Sequence, residues 1–443
     1  MPRQKIFYFK KNFLWGASLS SHQAEGGNFN DWSVWEKKNA KRLAAEAEQK
    51  FGHLHPHTKS FGVGVNWPKI KKYASDPQNY ISGVACDFWH KYNDDFNLAK
   101  SLDLSALRFS IEWSRIEPQK DKFDQKAIKH YLKMISALKE RGIEPFVTLW
   151  HFTLPLWSAK MGGWENKKTI YYFCRYVKKI CRELKGKVKF IMTLNEPEIY
   201  ASTSYFQGIW PPQEKNFFSY LKVLNHLIRA HEESYKIIKK ISPKFKISIA
   251  KNNVYFAVEK NSFLNRFLKW LGNWWWNFYI LNRLKNKLDF IGLNHYFCNL
   301  IDRGYNRNQN KIVSDLGWEL EPQSIYYALQ DLKKYKKPIY IIENGLADDS
   351  DLKRGWFIRE TLAYIHQAIH EGIDVRGYFH WSLLDNFEWE KGFWPRFGLI
   401  EVDYQTLTRK IRPSAYEYAK IIKDHAIMRP AKKLSRQKKL IRV

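Results

Sequence analysis

Cysteine is scarce in this chain of 443 residues, with only Cys86, Cys174, Cys181 and Cys298. They form no Cys-x-x-Cys pair and no metal-ligand spacing, so no disulfide or zinc framework is expected. Cys174 and Cys181 are seven residues apart on one predicted helix, about 10 Å along its axis, too far to bridge. Reduced thiols in a cytoplasmic protein fit this pattern. Long apolar runs are missing too. No segment reaches the ~20 apolar residues of a membrane span, and "MPRQKIFYFKKNFLWGAS" breaks its apolar residues with Lys10 and Lys11, unlike a secretory signal. No membrane is therefore expected among the partners. "FLKWLGNWWWNFYILNRL", from Phe267, carries Lys269, Asn273, Asn277 and Asn282 and reads as an amphipathic helix packed on the body.

Acidic residues run short, at 44 against 74 Lys plus Arg, for a formal charge of +30. Charge alone favours nucleic acid, anionic membrane or anionic substrates. The lysines, however, are spread over most helical segments and form no basic stripe or reading motif, so no specific nucleic-acid partner is expected. Only "RPAKKLSRQKKLIRV", residues 429–443, is densely basic; it reads as a tail of the often disordered kind after one domain over 1–428. What the chain has in plenty is aromatic: 16% of residues, with 19 Trp, flat side chains suited to stacking on sugar rings or bases.

Short β-rich runs alternate with helical patterns: 13–18, 106–113, 144–150, 189–196, 246–252, 290–296, 339–345 and 375–382. Between the third and fourth, Ile170, Phe173, Cys174, Val177, Ile180, Cys181 and Leu184 make one apolar helical stripe, with Arg175, Lys178 and Lys179 expected to face water. Before the third, Ile128, Tyr131, Leu132, Ile135 and Leu138 do the same, and the glycine of "ERGIEP" stops the helix. Strands apolar on both faces, alternating with amphipathic helices, call for a parallel sheet with helical cover. Eight of them predict a single (β/α)8 TIM barrel. The chief insertion is 37–80, whose "HLHPH" offers three histidines without a nearby carboxylate or cysteine, a weak metal signal.

In such a barrel the strand C-termini line the site. Here they carry His151, Asn195 and Glu196, Asn294 and Tyr296, Glu343 and Asn344, and Trp381. Glu196 and Glu343 lie far apart in sequence, but strands four and seven lie across a closed ring. Two glutamates flanking a gap suit glycosidic bond cleavage: one protonates the leaving oxygen while the other attacks or stabilises the anomeric carbon. Gln23, His151 and Asn195 offer donors for sugar hydroxyls; Trp381 and Trp389 offer platforms.

The motifs "FLWGASLSSHQAEG", "LRFSIEWSRIEP", "TLWHFTLPLW", "TLNEPE", "FIGLNHY", "YIIENG" and "FHWSLLDNFEWEKGFWPRFGLIEVDY", in that order over nearly the whole chain, resemble family one of the glycoside hydrolases, the β-glucosidase and β-galactosidase family. The resemblance implies a retaining β-glycosidase that hydrolyses terminal non-reducing β-linked sugars through a covalent glycosyl-enzyme, with no cofactor and no metal. By position, Glu196 would be the acid/base and Glu343 the nucleophile, with Arg108 and Tyr296 holding the latter's charge and orientation and Asn294 in support. Gln23, His151, Asn195, Glu388 and Trp389 would bind hydroxyls of the non-reducing sugar, with Trp381 beneath its ring. A cis peptide at Trp381–Ser382 is also implied. Two departures stand out: Phe152 replaces the usual Trp and removes an indole donor from the pocket wall, and His295 replaces the first Tyr of Asn-Tyr-Tyr, altering packing. The expected substrates are small β-glycosides of glucose, galactose, mannose or fucose. A 6-phospho-β-glycosidase would lack the "FEW" glutamate, and Glu388 would repel a phosphate. A catalytically dead sugar-binding protein would lack one of the two glutamates, and both are present.

Overall fold

The computed structural model describes residues 5–52, 67–309 and 311–429. The three histidines of "HLHPH" and the basic tail beyond Arg429 lie outside them. Eight strands, β1 Leu14–Ser18, β2 Ala106–Ser110, β3 Glu144–Thr148, β4 Phe190–Asn195, β5 Lys246–Asn252, β6 Ile291–Asn294, β7 Ile339–Asn344 and β8 Val375–Trp381, pair in parallel as a closed barrel. β8 closes on β1 with Gly377 opposite Leu14 and Trp381 opposite Ser18. This is the (β/α)8 barrel that the alternating pattern predicts, and each predicted strand is found within two or three residues of its expected limits. The second ends early, at Ser110. Trp113–Ile116 is instead a helical turn, capped by the Glu112 side chain, which accepts from Ser114 N–H.

The predicted helices form for the expected reasons. Gln125–Glu140 starts where Asp124 accepts from Lys126 and Ala127 N–H and is followed by Gly142 at φ +71°. Lys168–Leu184 buries Ile170, Phe173, Val177, Ile180, Cys181 and Leu184 against the barrel. Arg175 corrects the expectation of a solvent-facing side chain: it pairs with the buried Glu117 and with Asp121, because a long guanidinium stem can cover apolar surface while its head finds a carboxylate. Cys86, Cys181 and Cys298 are buried and Cys174 partly so, all four as free thiols. Among the described residues no helix is long and apolar enough to cross a membrane.

The lower half of the barrel interior is an aromatic plug. Phe146 stacks on Phe190 at 4.1 Å and meets Phe379 edge-on at 4.7 Å, with Phe290, Tyr340, Met192 and Ile342 filling the remainder. Burying one such ring contributes about 2–3 kcal/mol, so the plug makes a rigid floor. Above it the interior turns polar. Bulges at the top of β4, between Met192 and Asn195, and of β7, between Ile341 and Glu343, interrupt the ladders where side chains must be re-aimed into the mouth.

The 37–80 insertion begins inside helix Asp31–Ala47, whose Trp32 packs on Trp389 at 4.7 Å; its helix Trp67–Ala74 buries Ile70 and Ala74 beside Trp394 and Trp381, and it ends with the helical turn Pro77–Tyr80. The segment from Phe267 packs one face on the body, as expected, through Leu268, Trp275, Trp276 and Tyr279, but its outer face is aromatic. A helix Phe263–Gly272, a π turn Asn273–Phe278 and a helix Tyr279–Leu284 bury Asn277, Ile280, Leu281 and Leu284, but leave Phe263, Leu264, Phe267, Trp270 and Trp274 exposed.

Candidate active site

β4 ends with Asn195 in the sheet and Glu196 at φ +36°, a left-handed conformation costing about 1–3 kcal/mol for a non-glycine residue. Pro197 opens the next helix at its first position, and Glu196 N–H donates to Ala250 O at 2.8 Å. The sharp turn carries the carboxylate out of the strand and over the mouth. There Glu196 Oε1 accepts from Asn252 Nδ2 at 3.0 Å and Asn294 Nδ2 at 2.8 Å. Burial first, then the neighbouring Glu343 and Glu198 charges, push its carboxyl up to about 8.

Glu343 sits at the end of β7. Its Oε1 pairs with the fully buried Arg108 guanidinium and its Oε2 accepts from Tyr296 Oη at 2.7 Å. Burial and then the Glu343 charge hold the Tyr296 phenol well above its ordinary range, so it remains a donor. Arg108, on β2, also donates to Thr148 Oγ1 at 3.0 Å and to Asn195 Oδ1 at 2.6 Å. The glycine of "IIENG" has a steric cause: a Cβ on Gly345 would lie 2.0 Å from the Trp381 carbonyl oxygen, so no other residue lets β7 and β8 approach this closely.

The bond from Arg108 fixes the orientation of Asn195, whose Nδ2 then donates to His151 Nε2 at 3.0 Å. His151 thus carries its proton on Nδ1, an atom that is buried without a partner and free to donate to a ligand. Burial and the Arg108 charge hold this imidazole well below its usual value, keeping it neutral. Trp381 and Trp389 flank His151, each at 6.1 Å; the Trp381–Ser382 peptide is cis. Gln23 Nε2 donates to Phe387 O at 2.7 Å and to Glu388 Oε2 at 3.2 Å. Burial pushes the Glu388 carboxyl up to about 8, with Lys391 opposing and Glu390 and Glu343 reinforcing.

These contacts bring every nominated residue to one mouth. Phe152, at φ +74°, offers Trp210 and Trp389 an apolar face at 5.0 and 5.2 Å. His295 turns away from the mouth, bonded to Asn253 O and Ser324 Oγ, in keeping with a packing role. Two features escaped the sequence reading. Asn252 is one; its position as the last residue of β5, in "IAKNN", was the available signal. The other is the fully buried pair Lys251–Glu198 at 3.0 Å, two charges inside an apolar-looking context that periodicity cannot reveal. No group of His, Cys, Asp or Glu suited to a metal is present among the described residues.

One carboxylate bonded to a cation and a phenol, facing another that keeps its proton near neutrality, can perform a two-step displacement at an acetal carbon. The profile of the Glycosyl hydrolase family 1 matches residues 6–283 and 280–427. β-Glucosidase A of Thermotoga maritima is 30% identical over 95% of this chain and 98% of its own, and a β-galactosidase of Sulfolobus acidocaldarius is 30% identical over 97% and 98%. Among solved structures, a β-glycosidase from Pyrococcus horikoshii superposes with a TM-score of 0.82 at 34% identity, covering 97% of both chains. The T. maritima β-glucosidase in complex with glucoimidazole gives 0.80 at 28% identity, over 94% and 99%.

Proposed function

The chain belongs to glycosyl hydrolase family 1 and is a β-glucosidase-type, retaining glycoside hydrolase; from that premise we propose that Glu343 is its nucleophile and Glu196 its acid/base. The observation that carries these roles is the opposite treatment of the two carboxyls: Glu343 receives bonds from Arg108 and Tyr296, while Glu196 is desolvated among asparagines. In the first step Glu343 attacks the anomeric carbon while Glu196 gives its proton to the departing oxygen, and the glycosidic bond breaks. Glu196, now ionised, takes a proton from water, which attacks the same carbon and releases Glu343. His151, Asn195, Gln23, Glu388 and Trp389 hold the glycone hydroxyls over Trp381, and Asn294 positions Glu196. Initial rates on a panel of nitrophenyl β-glycosides, with the anomer formed first read by NMR, test this reading; an α-anomer as first product would refute it.

The pH profile follows from the sign of the Glu196 shift. Its carboxyl must be protonated to donate, so kcat/KM falls as pH rises through its value, placing the basic limb near pH 8. In Glu196→Gln, assayed with a dinitrophenyl glycoside whose departure needs no proton, that limb should vanish. A limb unchanged in this variant would assign it to another group, with Glu388 the first alternative.

Asn252 supplies a further test. Its bond to Glu196 favours the charged carboxylate, so Asn252→Ala should move the basic limb to higher pH and lower kcat about tenfold, the scale of one hydrogen bond to a charged group. A limb moving down would mean that Asn252 holds the protonated form.

The free thiols support a cytoplasmic location, and the dispersed lysines support a merely cationic surface without a specific nucleic-acid partner. Residues 1–428 would form one catalytic domain, with 429–443 an appended basic tail.

A further inference from the structure

Exposed aromatic side chains lie at scattered points such as Phe29, Tyr171 and Tyr416, but two neighbouring segments carry a group of them: Phe206, Phe217 and Phe218 on one side and Phe263, Phe267, Trp270 and Trp274 on the other. Phe263, Phe267, Trp270 and Trp274 are spaced four, three and four residues apart, which puts them on one face of their helix and π turn, and that face points to solvent: Phe263 is 79% exposed and Trp270 59%. Phe267 stacks on Trp270 at 6.0 Å, Trp270 on Trp274 at 6.1 Å, and Trp274 meets Trp275 at 5.8 Å. Trp275 then meets Tyr220 at 6.1 Å, and Tyr220 meets Phe206 and Phe217 at 5.7 and 6.0 Å. Phe217 leads to Phe218, itself 79% exposed. Two exposed groups of rings, on helix Phe263–Gly272 and at the start of helix Phe217–Ile241, are therefore joined through the part-buried Trp275 and the buried Tyr220. Neighbouring exposed apolar groups of this size are uncommon on a protein with no partner for them.

Charge identifies the partner. Between Lys260 and Leu288 there is no aspartate or glutamate, while Lys260, Arg266, Lys269, Arg283, Lys285 and Lys287 punctuate the segment. On the adjoining helix Lys222, paired with Glu165 at 3.2 Å, and Arg229 occur with no acidic residue from Phe217 to His231. A second copy seated across a two-fold axis would set these cations against themselves, on a chain already at +30. Tryptophan and phenylalanine flanked by lysine and arginine match an anionic bilayer surface, where rings enter the headgroup region and cations meet lipid phosphates and carboxylates. We propose that this aromatic surface is a peripheral docking surface for an anionic lipid bilayer. The expectation of no membrane partner rested on the lack of a spanning segment, which a surface contact does not require. The surface also adjoins the barrel mouth: Phe206 and Ile209 precede Trp210, which packs on Trp389 at 5.7 Å and donates to Glu390.

Flotation with vesicles of phosphatidylcholine containing about 30% phosphatidylserine, against pure phosphatidylcholine, tests the proposal independently of catalysis. The full chain should bind the anionic vesicles at least about tenfold better, and added salt should weaken binding. Phe267→Ser with Trp270→Ser, and separately Lys260→Glu with Arg266→Glu, should each lower binding at least about tenfold. Turnover of a soluble nitrophenyl glycoside should be unchanged in both, which shows that they fold. Equal binding by wild type and variants, or no binding by the wild type, overturns the proposal. So does a dimer, seen by light scattering, that the aromatic variant abolishes, since the surface would then belong to a second copy.

Discussion

The Glu343→Ala variant is expected to lose turnover by at least about four orders of magnitude on every glycoside, however good its leaving group. The reason is positional. Glu343 Oε1 and Oε2 are the endpoints of the Arg108 and Tyr296 bonds, and no other carboxylate in the mouth shares both partners. Without it no glycosyl-enzyme forms, so leaving-group ability cannot compensate. The vacated space then admits azide, which attacks from the nucleophile's own side and gives the α-glycosyl azide. Truncation also leaves the fully buried Arg108 guanidinium with only its neutral partners Thr148 and Asn195 and no countercharge, a loss of about 3 kcal/mol in stability. Glu343→Gln, which keeps the volume, separates that structural loss from the chemical one. Substantial activity in both variants on activated substrates would remove Glu343 from the mechanism.

Truncating Glu196 to alanine should have a different signature. An aryl glycoside with a strongly acidic phenol leaves unprotonated, so the first step survives while the second slows because water has lost its base. Burst kinetics should appear, kcat should fall by about two to four orders of magnitude, and a lowered KM should accompany it as the intermediate accumulates. Substrates with poor leaving groups should lose far more. Azide, needing no base, should restore turnover and give the β-glycosyl azide. Azide products reversed between the two variants would mean that the roles are exchanged.

Much of this arrangement was legible in the chain. The eight strands announced themselves because each is apolar on both faces and each is followed by an amphipathic helix, so β4 and β7 could be placed before any contact was known. Their polar ends were legible because Asn195, Glu196 and Glu343 are out of character at the end of a buried strand. Asn252 was not, since an asparagine closing a strand is ordinary and only its bond to Glu196 marks it. Arg175 was misread because helical periodicity reports which face is wet and not how far a guanidinium can reach to Glu117. Lys251 and Glu198 were invisible for a related reason: they satisfy each other across two elements, and pairing between distant residues leaves no local pattern. The segment from Phe263 is packed on the body through Trp275, Trp276 and Ile280 as its pattern implies, but periodicity gives no sign that Phe263, Phe267 and Trp270 on its other face meet water.

The most direct measurement is mass spectrometry of the enzyme after incubation with a dinitrophenyl 2-deoxy-2-fluoro-β-glucoside, whose fluorine slows both steps while the good leaving group rescues the first. One added fluoroglucosyl unit per chain is expected, carried after proteolysis by the peptide containing "IIENG" and attached to Glu343. A label on Glu196, or the absence of any covalent adduct from an enzyme that still turns over the unsubstituted substrate, would contradict the role given to Glu343.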